Sequence, residues 1–498
     1  MKIRAFTVCL LALIILMSVG CSAPGSDVVE TSKPETEAES VQPFPRPTVA
    51  DNTSADLGGR VFEILARSGS SQVEFENVRD GSASILGEAV YRRNLTVQTR
   101  LNCVLNFSYV AGDPANAEKY VNAATNDDKY DIFAAHNLVI PQLAIKGECS
   151  NLIDLQAKAS LDLSSPWWPN NLVEMLSYDK KLYFCTGEIS TNYISSLYGV
   201  YFNKSILIEN GIDPVSVYRI VENGVWTLET LAKYSADCAG EKDGDSVFGF
   251  ALGVNPEFVE AFYCAANFTP TTKNEDGTLS FTMTEKTLNE EKTFLKNLNG
   301  LFMAESSSVS WSNADNGVAR FTSGNAAFTI STMSYAKSIA GKFDYGIIPL
   351  PVAKVRTDTY LTPLSDGYTF YAISAKNVEK ASDSATILQS LAATAYNANS
   401  DAYYNGILGI RFDMSDPNVR MVENMKDNGC FEFFECWLGA YSNEADEKIS
   451  NPSQLFASCV INSSATHIAE SNYVSLIEKY RPIYSDAFNE FITFMSGS

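Results

Sequence analysis

Two histidines, His136 and His467, are the whole supply in this chain. A three-histidine metal centre is therefore excluded, and histidine acid–base chemistry has only these two residues to draw on. Basic charge is also short: 37 Lys and Arg stand against 59 Asp and Glu, for a net charge of −22. Nucleic acid and anionic membrane surfaces both require a basic footprint, so neither is expected as the main partner. No cysteine pair has CxxC or zinc-like spacing, and no GxSxG, P-loop, HExxH or GxGxxG occurs. Ser334-Tyr335-Ala336-Lys337 has the SxxK form of a β-lactamase nucleophile, but the SDN and KTG companions are missing. No apolar run reaches the roughly 20 residues that a membrane-spanning helix needs.

What is present is a globular composition: 498 residues, 45% hydrophobic, 19% charged and 11% aromatic. That excludes a disordered, fibrous or small disulfide-stapled protein, and it suffices for two domains with real cores. Lys2 and Arg4 precede an uncharged apolar run, Phe6 to Met17, which fits a secretory signal peptide over residues 1–20. Ser18-Val19-Gly20-Cys21 is similar to a bacterial lipobox, which predicts lipidation of Cys21. Ser18 departs from the usual leucine, and ordinary signal cleavage beside a chance cysteine is the alternative. Residues 21–56 are rich in Ser, Thr, Glu, Pro and Ala, with Pro24, Pro34, Pro43, Pro45 and Pro47 opposing helix and sheet. Such a stretch cannot bury enough apolar surface to offset its ordering entropy and reads as a spacer.

Beyond it, "RVFEILA" from Arg60, "CVLNFSYV" from Cys103 and "YDIFAA" from Tyr130 read as strands. Helical spacing runs from Ile85 to Leu101, and Pro114 opens a helix to about Ala124. Strand–helix–strand alternation predicts a parallel sheet covered by helices, with ligands beyond the carboxyl ends of the strands. "LYFCTG", "AAFTI", "DYGIIPLP" and "TFYAIS" read as further strands. The eight body cysteines read mostly as buried thiols, with Cys430 and Cys436 the nearest pair and the one disulfide candidate. Asp243 and Asp245 read as a solvated turn before a cation site. Trp167, Trp168 and Trp226 read as structural.

"ILGEAVYRRNLTVQTRLN", "YDIFAAHN", "SSPWWPNNLVEML", "KLYFCTGEIS", "VYFNKSILIENGI", "VENGVWTLETLAKYS" and "RFTSGNAAFTI" before "FDYGIIPLP" form an ordered series. From about Gly59 onward it resembles the extracellular solute-binding proteins of bacterial ABC importers, of the maltose-binding type. The resemblance implies a two-lobe α/β fold with hinge crossings. It places lobe 1 at 57–195 plus 365–412, and lobe 2 at 196–364 plus 413–498. Crossings are expected near Tyr193–Tyr201, Tyr360–Tyr368 and Arg411–Asp416. It implies a solute, carbohydrate first, held in the cleft and delivered to permease subunits. The protein would be a monomer on the extracellular face of the membrane, attached through lipid alone, with no cofactor, no metal and no catalytic residues.

Sugars offer apolar C–H faces and fixed hydroxyls, so their sites combine aromatic platforms with hydrogen-bonding groups. On that basis the candidates are His136 and Asn137 after the third strand, and Glu188, Ser190 and Asn192 before the first crossing. Trp311 in a polar loop, Tyr335 after "AAFTI", and Asp366 and Tyr368 at the second crossing follow. Trp437 is included, although its apolar neighbours in "FFECWLG" favour the core. Three alternatives stay open: a surface-attached glycan-degrading enzyme, a binding protein for a non-sugar solute, and a sensor or adhesin on the same fold.

Overall fold

The computed structural model describes residues 47–51, 53–69, 74–75, 85–253, 255–310, 314–353, 359–398, 402, 404, 408, 416–431, 434, 436–438, 451–460 and 472–496. The signal-peptide reading, Cys21 and Trp311 fall outside them. Among the described residues, no helix is long and apolar enough to cross a membrane.

Strand β1 (Arg60–Arg67) pairs in parallel with β2 (Cys103–Val110), Arg60 opposite Cys103 and Arg67 opposite Val110. The helix Ile85–Leu101 connects them and buries Val90, Val97 and Leu101. Its stripe is less apolar than the spacing predicts: Ile85 is 63% exposed, while Arg93 and Asn94 are buried. Backbone carbonyls satisfy both, with Arg93 Nη1 donating to Ile189 at 2.9 Å and Asn94 Nδ2 to Phe75 at 2.5 Å. Asn102 then stops the helix at φ 49°, a left-handed conformation that asparagine tolerates. The helix expected at Pro114 starts as a 3₁₀ turn, Pro114–Asn116. Asp113 caps it by accepting from Ala115 N at 3.0 Å, and it continues as Ala117–Thr125. Strand β3 (Ile132–His136) lies parallel on the other side of β1, with Ile64 opposite Ile132.

The chain leaves this lobe through the helix Thr191–Ser196 and enters β4 (Tyr198–Asn203). The second lobe adds β5 (Gly240–Lys242), β6 (Asp245–Gly253), a separate hairpin of β7 (Thr271–Lys273) and β8 (Leu279–Phe281), then β9 (Ser307–Ser310), β10 (Ala326–Thr332) and β11 (Tyr345–Ile348). Its sheet runs β11-β4-β10-β6-β5, with β9 beside β6. Strand β10 is parallel to β6, but β4 is antiparallel to both β10 and β11. The sheet is therefore mixed, where alternation alone predicts a parallel one. The reason is that β4 arrives from the other lobe and needs no right-handed crossover within its own sheet. The Asp243 turn joins β5 to β6 as an exposed hairpin, Asp243 itself lying at φ 53°.

On the return, β12 (Thr362–Pro363) pairs with β14 (Gly429–Cys430), and β13 (Thr369–Ile373) completes the first sheet antiparallel to β3. The order there is β13-β3-β1-β2, with Thr369 opposite His136. The segments that connect the lobes are bonded side by side. Leu197 bridges Leu364, Ser365 N donates to Ser196 O at 2.8 Å, and Leu364 N donates to Cys430 O at 3.0 Å. Beside the two expected crossings, Gly429–Cys430 is the third segment of this ladder. Of the expected Arg411–Asp416, residues 411–415 lie outside the described set, and Asp416 caps the helix Pro417–Asp427.

One core gathers Phe62, Ile64, Phe133, Trp167, Trp168 and Phe370, and a second gathers Trp226, Phe250, Phe294 and Phe328. Described residues within 413–498 pack into both cores. The helix Tyr473–Ser496 puts Ile477 and Tyr484 into the second core and Phe491 and Met495 into the first. At 1.5 Å per residue it is long enough, at roughly 36 Å, to strap both. Two local expectations are corrected. "LYFCTG" is not a strand: only Cys185 bridges β13, at Tyr371, after a tight turn with Asp179 and Lys180 at positive φ. Cys430 and Cys436 are separate buried thiols, so that disulfide is absent.

Candidate functional site

The cavity of interest, about 70 Å³, draws its wall from both lobes and from the crossing. Lobe 1 supplies Asn137 and Leu138, directly after β3. Lobe 2 supplies Tyr198 and the helix Pro256–Ala265, with Glu257, Glu260 and Cys264. The crossing supplies Asp366 and Tyr368. Local sequence explains each placement. Asn255 caps the helix by accepting from Glu257 N at 3.3 Å, and Pro256 fills the first turn, where a missing N–H costs nothing. Glu257 and Glu260 then share a face at i, i+3. Gly367, at φ 115°, makes the turn beside Asp366, where a side chain would be strained. Arg67 Nη2 donates to its carbonyl at 2.5 Å.

Asn137 fastens lobe 1 to the crossing. Its Nδ2 donates to Asp366 Oδ1 at 3.1 Å, its Oδ1 accepts from Gly367 N at 3.3 Å, and its backbone N donates to Tyr368 O at 3.2 Å. Across the cavity, Tyr198 Oη donates to Glu257 Oε2 at 3.3 Å. Solvent reaches Asp366 and Glu257, and Glu260 is half-buried. Protein nevertheless surrounds all three, and desolvation pushes each carboxyl above its ordinary range. Glu260 rises to about 7, first from burial and then from the charges of Asp366 and Glu257. For Asp366 the Asn137 hydrogen bond opposes the rise. Among the described residues, no Lys, Arg or His lines this cavity.

The other sequence candidates lie elsewhere. His136 is buried in β3, behind the cavity, and is pushed down to about 3 by burial and then by Arg67. Its Nδ1 accepts from Leu138 N at 3.2 Å, which assigns a neutral ring protonated at Nε2. Glu188 is paired with Lys426 at 2.7 Å. Ser190 is buried, its hydroxyl without a partner among the described residues. Asn192 donates to the buried Glu74 at 3.0 Å, a carboxylate that Thr369, Tyr371 and Arg67 also hold. Tyr335 bonds Thr322 at 2.7 Å and sits edge-on to Tyr201, with burial pushing its hydroxyl up to about 12. Trp437 packs against Phe184 and Phe491 in the first core, because its segment folds onto lobe 1. Asn137, Asp366 and Tyr368 are thus the candidates brought together at the cavity. Tyr198, Glu257 and Glu260 were missed, although the Asn-Pro start of the helix that carries the two glutamates was readable.

A broader recess shares Cys264 and Phe431 with this cavity. Its wall is largely threonine from lobe 2, with Asn171 and Glu174 from lobe 1. No group of His, Cys, Asp and Glu among the described residues is arranged to hold a metal ion.

No family model matches the chain, and no curated protein matches it. Solved structures do. UgpB from Mycobacterium tuberculosis, in complex with glycerophosphocholine, is 17% identical, with a TM-score of 0.53 over 86% of this chain and 98% of its own. The sugar-binding protein MalE from Xanthomonas citri is 11% identical, with a TM-score of 0.54 over 85% and 99%. The GacH receptor of Streptomyces glaucescens, solved unliganded and with acarbose, is 13% identical, with a TM-score of 0.51 over 84% and 98%. The chain has the two-lobe fold of these solute-binding proteins.

Proposed function

We propose that this protein captures a solute of the carbohydrate class between its lobes and hands it, unchanged, to the permease of an ABC importer. One observation carries the reading: a cavity walled by lobe 1, lobe 2 and the crossing between them. A ligand there touches both lobes, so it favours the closed arrangement by its differential affinity. The structural relatives supply the ligand class, since MalE is a sugar-binding protein and GacH binds acarbose. Attachment through lipid on Cys21, at the extracellular face and as a monomer, completes the proposal.

The carboxylates also speak to the enzyme alternative. Glycoside hydrolysis needs one carboxyl kept protonated and another kept ionised, hence environments that push the two apart. Here Asp366, Glu257 and Glu260 are all pushed the same way. These shifts alone assign no acid–base pair, and the turnover assay below makes the distinction.

Isothermal titration against a panel of mono- and oligosaccharides tests the reading, with small-angle scattering to follow closure. Saturable heat together with a smaller radius of gyration is the expected result. Heat from a peptide or amino acid alone would overturn the ligand class. Release of new reducing ends from a bound glycan would replace binding by catalysis.

A further inference from the structure

The cavity is acidic in a way that neutral sugar recognition does not require. Asp366 comes from the crossing, while Glu257 and Glu260 come from a lobe 2 helix. Each raises the proton affinity of a neighbour. Among the described residues no cation lines the cavity to offset them. Two buried basic groups, Arg67 and Lys426, are engaged elsewhere: Arg67 with Glu74 and Gly367, and Lys426 with Glu188 and Glu423.

A second observation is independent of these charges. Tyr368 lines the same cavity at 1% exposure, and its hydroxyl makes no hydrogen bond of ordinary geometry among the described residues. The Asn137 side chain is its polar neighbour. A buried hydroxyl left in this condition costs free energy until something bonds to it. Asn137 itself is committed to Asp366 and Gly367. The wall therefore offers the carboxylate acceptors Asp366, Glu260 and Glu257 around one space, with the Tyr368 hydroxyl buried behind it.

Resting on the solute-capture reading above, we infer that the captured solute carries a protonated amine, as an amino sugar does, held between Asp366 and the Glu257/Glu260 pair. An ammonium group has three donors and no acceptor, which matches a wall of acceptors. Its charge removes the carboxylate repulsion that the empty cavity sustains. A neutral sugar hydroxyl leaves that repulsion in place. Binding the cation also favours the ionised form of Glu260, so a proton leaves the protein when the ligand enters.

The test uses matched sugars in gluco, galacto and manno series: the 2-amino sugar, its N-acetylated twin and the parent 2-hydroxy sugar. Titration calorimetry is run on the full mature chain. The expected result is that at least one amino sugar binds ten-fold or more tighter than both of its twins. Its affinity rises several-fold from pH 5.5 to 7.5, with proton release visible as a dependence of the heat on buffer ionisation. In Glu260→Gln and Asp366→Asn the preference for the amine collapses, while melting of the ligand-free protein shows that each variant is folded. A neutral or acetylated sugar binding as tightly as its amine overturns this inference and leaves solute capture standing. Silence from all nine sugars at millimolar concentration overturns this inference, and the wider saccharide panel then decides solute capture.

Discussion

Lys426 holds its ammonium 2.7 Å from Glu188 and 2.7 Å from Glu423. One buried cation therefore ties the segment leaving lobe 1 to the helix Pro417–Asp427. Its side chain is 2% exposed and that of Glu188 6%, so neither charge can turn to water if its partner is removed. Lys426→Met should lower unfolding free energy by about 3–5 kcal/mol, because the buried Glu188 carboxylate loses its ammonium partner. Adding Glu188→Gln to that variant should recover a large part of the loss. Guanidinium unfolding of the single and double variants checks this, and a loss below about 1 kcal/mol would contradict the buried-pair assignment.

The same helix end meets the crossing ladder at Gly429. Tyr193 donates its hydroxyl to the carbonyl of Lys426, and a Cβ on Gly429 would collide with that hydroxyl. Gly429→Ala should therefore destabilise the protein by about 1–3 kcal/mol, the usual range for overpacking. The cause is one oxygen atom, so the double variant Gly429→Ala with Tyr193→Phe should be more stable than the single one. Thermal melts of both decide it. A Gly429→Ala protein as stable as the parent would show that Tyr193 has room to move.

Stability should also fall as pH rises through neutrality. Glu291 is buried on the helix Glu285–Phe302, and burial pushes its carboxyl up to about 7, against a hydrogen bond from Tyr473 Oη at 2.5 Å. The unfolded chain releases this proton near the ordinary glutamate value, so between the two values the folded state binds more protons. Stability is then highest below about pH 4.5 as far as this group is concerned, declines up to about pH 7, and is flat above. The decline is on the order of 3 kcal/mol at most. Glu291→Gln should remove this part of the slope and raise the melting temperature at pH 8. An unchanged slope in urea unfolding at pH 5, 6, 7 and 8 would refute the assignment.

What could be read in advance follows a physical line. Asn137 was legible because it follows the apolar strand that begins in "YDIFAA", and the carboxyl ends of parallel strands are where ligands sit. Asp366 and Tyr368 were legible through the crossing. Glu257 and Glu260 were not, because in a chain with 59 acidic residues a carboxylate announces nothing. Their role comes from long-range packing that sets their helix across from Asp366. Glu188 and Asn192 failed for the converse reason: their charge and amide are used up by Lys426 and Glu74, partners remote in sequence. Trp437 was ambiguous between platform and core, and the burial of "FFECWLG" against Phe184 and Phe491 decided for the core.

Cysteine chemistry gives a direct reporter of the cleft. Cys103, Cys149, Cys185, Cys238, Cys430, Cys436 and Cys459 are buried, whereas Cys264 is partly exposed and lines the cavity one turn beyond Glu260. Burial suppresses both solvent access and the thiolate form that alkylating agents attack. Brief iodoacetamide treatment of the folded protein should therefore modify Cys264 first and leave the other seven largely unmodified, while the denatured chain reacts at all eight. Peptide mass spectrometry resolves the sites. Because the cavity wall comes from both lobes, a bound solute that closes them should slow Cys264 modification by ten-fold or more without altering the rest. A Cys264 that reacts equally fast with and without saturating ligand would mean that the solute sits outside this cavity and outside the recess that shares Cys264 with it.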